Sequence, residues 1–171
     1  MKSKVVTISE STIAIVESHL QASDGTLYAI LDSVDEPEVP ARASLFESRY
    51  TSLYSGTASR EYWAIAPYLL QVQQDDFDWI RTTLITSPWG ILATSKSDLT
   101  TVRHHFRKFL TVKDAALGRS LLFRFYDPRV LPVFLESCSA DQARAFYGPI
   151  DSFYCFSDPD TCWRLNLTKA S

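Results

Sequence analysis

The densest cluster of chemistry-bearing residues lies between Leu121 and Leu131. Along a strand over residues 120–126, alternation puts Leu121, Phe123 and Phe125 on one face and Leu122, Arg124 and Tyr126 on the other. Asp127 then suits a helix N-cap and Pro128 the first helical position, with Arg129, Val130, Phe134 and Leu135 following on that helix. Pro132 removes a helical N–H, so the first turn is either distorted or the helix starts late. Arg124, Tyr126, Asp127 and Arg129 therefore gather where a strand hands over to a helix, a common place for ligands and partners in α/β sheets. Each also has a structural reading: Arg124 as a half-buried arginine paired with a carboxylate, Asp127 as a cap and nothing more.

A second candidate is the helix expected over residues 97–110, capped by Ser97. Leu99, Val102, Phe106, Phe109 and Leu110 form its apolar face, while Arg103, His104, Arg107 and Lys108 crowd the polar side. Arg103 and Arg107 are like charges one turn apart, which costs a few tenths of a kcal/mol. They read either as an ordinary solvated face or as a docking surface for an acidic partner. His104 and His105 are neighbours, about 100° apart on a helix, so they cannot grip one metal as an i, i+4 pair can. His105, close to the apolar stripe, reads as a partly buried helix residue. Asp75, Asp76 and Asp78 have the look of a metal cluster but suit the positive end of a helix over residues 75–84 better. The five glycines are too scattered for a dinucleotide loop or a P-loop, and there is no GxSxG elbow. No catalytic residue, metal or cofactor is implied. Carboxylate pairs assembled by a fold leave no trace in sequence spacing, so a small hydrolase working through the polar cluster at the strand end stands as the alternative.

The elements that position these groups alternate in type. A helix is expected from Ser9 or Ser11 to about Ala22, with Ile13, Val16 and Leu20 as its stripe. An apolar strand follows over 26–31, then a loop over 33–40, a weak helix over 41–50 and a turn over 56–60. Residues 62–72 are β-rich but interrupted by Pro67, which points to an edge strand or a bulge. Beyond the 75–84 helix, with Phe77, Ile80 and Leu84 inward, comes a strand over 88–93. After the basic helix and a turn at Gly118, the polar cluster leads to a helix ending near Cys138 and another over 140–146. Strands over 152–156 and 162–167 close the chain. The pattern defines an α/β or α+β fold, a mixed β-sheet flanked by helices, in one domain over 1–171 or one with a small subdomain.

Composition narrows the function classes. The 171 residues, 46% hydrophobic and 13% aromatic, suit a globular domain. A net charge of −3 and a pI near 5.6 argue against nucleic-acid binding. Cys138, Cys155 and Cys162 form no CxxC pair and read as small buried apolar residues of a protein in a reducing compartment. No run approaches the roughly 20 apolar residues of a membrane span, and residues 1–10 lack the features of a secretory leader. The expected location is the cytoplasm.

Residues 123–131, Phe-Arg-Phe-Tyr-Asp-Pro-Arg-Val-Leu, closely resemble the hallmark of a family known as domain of unknown function 4123. Five further segments agree with it in order: Leu27-Tyr28-Ala29-Ile30-Leu31-Asp32, Ala66-Pro67-Tyr68-Leu69, Trp89-Gly90-Ile91, the helix from Leu99 to Leu110 with Arg107 near the family's arginine position, and Phe146-Tyr147-Gly148-Pro149-Ile150. The resemblance implies a non-catalytic cytoplasmic adaptor or chaperone of bacterial type VI secretion. Such an adaptor binds a toxic effector and helps load it onto the spike, a VgrG protein or its PAAR tip, without being secreted itself. The chain ends at Ser171 where many relatives run longer, so an additional portion embracing the cargo is not expected. The residues themselves nominate Arg103, Arg107, Arg124, Tyr126, Asp127 and Arg129 as partner-binding positions.

Overall fold

The computed structural model describes residues 5–84 and 86–168. The first four of the ten residues judged not to be a leader therefore lie outside it. Strands β1 (Val6–Thr12), β2 (Thr26–Leu31), β3 (Tyr50–Ser52), β4 (Tyr68–Gln71), β5 (Gly90–Ser95), β8 (Ile150–Phe156) and β9 (Thr161–Leu167) build one sheet in the order β1-β9-β8-β5-β2-β4-β3. Every pairing in it is antiparallel. Strands β6 (Thr111–Asp114) and β7 (Arg119–Leu122) form a separate exposed hairpin. The expected combination of one dominant sheet with helices is present, in its α+β form. No helix is long and apolar enough to cross a membrane among the described residues.

Strand β2 explains why the sheet has helices on both sides. Its apolar run is continuous, so alternate side chains need two hydrophobic layers. Tyr28 and Ile30 face a core shared with Val102 and Phe106 of α5 (Leu99–Arg107), Leu131 and Leu135 of α6 (Leu131–Ser137), and Ala143 and Phe146 of α7 (Ala140–Tyr147). Leu27, Ala29 and Leu31 face a second core. It holds Val16 of α1 (Ile13–Ser18), Val39 of α2 (Glu38–Leu45) and Phe77 of α4 (Gln74–Trp79), with Ile80 and Leu84 on the π-helical continuation of α4. Phe77, Ile80 and Leu84 are all fully buried, as their spacing implies.

Several boundaries differ from the sequence reading. The helix expected from Ser9 or Ser11 begins only at Ile13, because residues 6–12 pair as β1 with β9 from the far end of the chain. A tertiary partner overrides local propensity there. Glu38 starts α2 inside the expected 33–40 loop, and the expected turn at 56–60 is α3 (Gly56–Glu61). Pro67 sits just before β4, which runs between β2 and β3; its missing N–H costs no ladder bond, so neither an edge nor a bulge is needed. The strand expected over 88–93 runs instead from Gly90 to Ser95. Asp98, not Ser97, caps α5, its carboxylate accepting from the Thr101 N–H at 2.8 Å.

Candidate partner-binding site

The Leu121–Leu131 junction is built differently from a strand running into a helix. β7 stops at Leu122, and the Phe123 N–H donates to the carbonyl of Leu110, the residue before β6, at 2.7 Å, closing the hairpin at its base. Turns then drive Phe125 and Tyr126 side by side into the core, with Phe125 stacked on Phe106 at 5.3 Å. Tyr126 does not hang on a strand face beside Arg124. The helix starts late, at Leu131, with Pro132 in its first turn, where a missing N–H is harmless. Asp127 caps the preceding turn: its carbonyl accepts from the N–H groups of Val130 and Leu131 at 3.0 and 3.1 Å, and its carboxylate from the Arg129 N–H at 2.9 Å.

One arginine–carboxylate pair locks this junction to the sheet and a second braces it internally. The Arg124 guanidinium donates to Asp32, the residue that follows β2, whose carboxylate is 6% exposed against 41% for the Arg124 side chain. The Asp32 N–H donates to the Trp89 carbonyl at 2.7 Å and its Oδ1 accepts from the Val34 N–H at 3.1 Å. Arg129 grips Asp127 with a two-pronged contact, Nε to Oδ1 at 3.0 Å and Nη2 to Oδ2 at 2.7 Å. That hydrogen bonding, chiefly from the Arg129 side chain, holds the Asp127 carboxyl below its usual range. Tyr126 is driven the other way, its phenol raised by burial and by Asp32 and Tyr54, with Arg124 a partial offset. Tyr54 is raised by burial and Asp32 as well.

The structure thus gathers Asp32, Tyr54, Arg124, Tyr126, Asp127 and Arg129 at one end of the central strands. Tyr126 and Asp127 are buried, so among these the surface is offered by Arg129, whose side chain is 70% exposed, and in part by Arg124. Beside Arg129 lies an open cleft of about 260 Å³ lined by Trp89, Gly90, Pro128 and Phe156 among others. Each junction carboxylate is engaged by an arginine. Arg103 lies elsewhere: its Nε donates to the Ser52 carbonyl at 3.0 Å, tying α5 to β3. Burial, then Arg107, lowers its pKa. Neither Arg103 nor Arg107 has a hydrogen bond or ion pair to the junction among the described residues.

Other candidates resolve as structural. His105 is buried, with its Nε2 2.7 Å from the Phe146 carbonyl. No group of three or more potential ligands could hold a metal among the described residues. Asp76 is fully buried and anchors Arg42 and Arg49 while accepting from the Gln73 N–H at 3.0 Å at the start of α4. Cys155 and Cys162 are buried free thiols, pushed up to about 12 and about 11 mainly by desolvation. Asp32 was not singled out by sequence as Arg124's carboxylate. Its only signal was its place at the end of the apolar 27–32 segment.

A helix-flanked antiparallel sheet pinned by an arginine–carboxylate pair to a turn-rich junction is the class of protein these features define. The sequence model of the family described as Domain of unknown function (DUF4123) matches residues 27–145, and the chain belongs to that family. No curated protein and no solved structure matches it.

Proposed function

We propose that the chain is a non-catalytic cytoplasmic adaptor that binds a type VI secretion effector and helps load it onto a VgrG or PAAR spike. The observation that carries this reading is the set of six family segments in order, three of which meet at the junction and its supports. Asp32 closes the first, Trp89 accepts its N–H, and Arg124 to Arg129 supply both arginines. We prefer it to a small hydrolase because Asp32 and Asp127 are each engaged by an arginine, as structural carboxylates are.

Co-expression with the effector and spike proteins encoded beside the chain tests the proposal. A complex that survives purification, and loss of effector secretion on deletion of the gene, are expected. A chain that elutes alone, with secretion unaffected by its deletion, overturns it.

A further inference from the structure

The seven-stranded sheet ends on β1, which has β9 on one side and, among the described residues, no strand on the other. The Thr168 N–H donates to the Val5 carbonyl at 2.9 Å, which sets the phase of the ladder. Antiparallel pairs alternate between bonded and non-bonded, so Thr7, Ser9 and Ser11 direct their backbone groups toward β9. The N–H and C=O groups of Val6, Ile8, Glu10 and Thr12 point outward. Thr7, Ser9, Glu10 and Thr12 are exposed. Natural edge strands are blunted by proline, lysine, bulges or short length. β1 is seven residues long, keeps an unbroken register, and has neither proline nor lysine. The opposite edge, β3, has only three residues, and Arg103 occupies its Ser52 carbonyl.

A cavity of about 450 Å³ opens at this edge, lined by Thr7, Asp151, Ser152, Arg164 and Asn166 among others. Thr7 pairs with Asn166 and Ser9 with Arg164, so all four side chains lie on one face. The Arg164 guanidinium rests 5.8 Å from the Tyr154 ring centre, and its Nη2 donates to Ser152 Oγ at 3.2 Å. It has no carboxylate within ion-pair distance among the described residues, Asp151 included. A half-buried arginine in a hydroxyl-lined cavity lacks the counter-charge that Arg124 and Arg129 each have.

We infer that β1 accepts an extended segment of the partner protein as an eighth strand, with an acidic side chain of that segment entering the Arg164 cavity. Main-chain bonds to the outward groups of Val6, Ile8, Glu10 and Thr12 supply affinity, and the cavity supplies selectivity. A strand lies about 4.8 Å from its neighbour, so a Glu or Asp opposite Thr7 reaches the cavity mouth. A second copy of the chain fits worse: its β1 would bring only Thr7, Ser9 and Ser11 to that face, leaving Arg164 unneutralised.

The inference rests on the adaptor reading, so its test uses the chain bound to the effector encoded beside it. Residue-resolved amide exchange should show Val6, Ile8, Glu10 and Thr12 slowing at least tenfold on binding, while Thr7, Ser9 and Ser11 change less. Glu10→Pro removes one outward donor and no bond to β9, and should weaken binding at least tenfold. Arg164→Glu should do the same, and Arg164→Lys should retain part of the affinity. A stable complex with unprotected β1 amides, or undiminished binding by both Glu10→Pro and Arg164→Glu, overturns the inference and leaves the adaptor reading standing. So does a free chain that light scattering shows to be a dimer with β1 already protected. Absence of any complex sinks both.

Discussion

Breaking the Asp32–Arg124 pair from one side should cost more than the pair's exposure suggests, and removing both sides should cost less than the sum. Asp32 is 6% exposed and the Arg124 side chain 41%. Removing one partner of a buried pair costs about 3–5 kcal/mol, whereas an exposed pair is worth about 0.2–1. With one partner buried and the other partly wet, a coupling of about 2 kcal/mol is expected. Arg124→Met leaves the Asp32 carboxylate near Tyr54 and Tyr126 without its ion-pair partner, at about 3 kcal/mol. Asp32→Asn keeps the shape and an acceptor for the Val34 N–H, and leaves Arg124 its solvent, at about 1–2 kcal/mol. The double variant should cost about 2 kcal/mol rather than the 4–5 of strict additivity. Urea unfolding with a shared m-value measures all three. At this chain length 1 kcal/mol corresponds to roughly 2–4 °C, so Arg124→Met should lower Tm by about 6–12 °C. A coupling below about 0.5 kcal/mol would refute the reasoning and return Arg124 to the residues free to meet a partner.

Arg129→Glu should lower Tm by several degrees, because it sets a like charge against the Asp127 carboxylate, which is 7% exposed, and should reduce pull-down of the effector by the protein that stays folded; pull-down at the wild-type level would remove Arg129 from the partner-binding positions. Gly90→Ala should abolish folding at 37 °C, since Gly90 has φ +148° and a Cβ there would lie 2.0 Å from the Ile30 carbonyl oxygen, a backbone atom of the central strand; soluble folded protein by circular dichroism would contradict this. His105 has its pKa lowered first by desolvation, against a hydrogen bond to Phe146 that raises it. Above about pH 6.5 the imidazole is neutral in both states. Below that the unfolded chain binds the proton first, so stability should fall with pH until the folded value is passed, and His105→Gln should flatten that slope in urea titrations between pH 7.5 and 5. Asp127, held down by Arg129, contributes stability above the unfolded carboxylate range that disappears as pH falls through the folded value. The gap between wild type and Arg129→Gln should therefore close in acid.

The sequence made the buried layers legible where periodicity was strong. Residues 26–31 read as a short apolar strand and Phe77, Ile80 and Leu84 as the inward face of a helix, and the structure has both, with β2 covered on its two faces. It misled wherever a distant segment decided the outcome. Val6 to Thr12 became a strand because residues 161–167 lie beside it, and nothing within seven residues encodes that. The same holds at the junction. Alternation over 120–126 assumed a strand that ends at Leu122, because the hairpin finds no neighbour in the main sheet. The pairing of Arg124 with a carboxylate was readable in kind, but the identity of Asp32, 92 positions away, is a property of the folded chain.

The way the hallmark segment is used bears on where a partner can bind. Phe125, Tyr126, Asp127 and Leu131 are buried, and both arginines carry internal pairs. Residues so engaged hold the fold of this chain, and under the adaptor proposal they are poorly placed to distinguish one cargo from another. Selectivity has to come from surface the signature leaves out. Two such regions stand apart from it: the hairpin, with Val112, Leu117, Leu121 and Leu122 exposed, and the edge of β1 beside Arg164, which makes no ion pair among the described residues. An isolated two-stranded hairpin is marginal in water, so its apolar side chains gain from being covered. Four residues per strand nonetheless offer a shorter template than the seven of β1. If the hairpin were the main contact, Leu121→Asp with Leu122→Asp would abolish effector binding while Glu10→Pro spared it; β1 pairing demands that Glu10→Pro weaken binding even when the hairpin is intact.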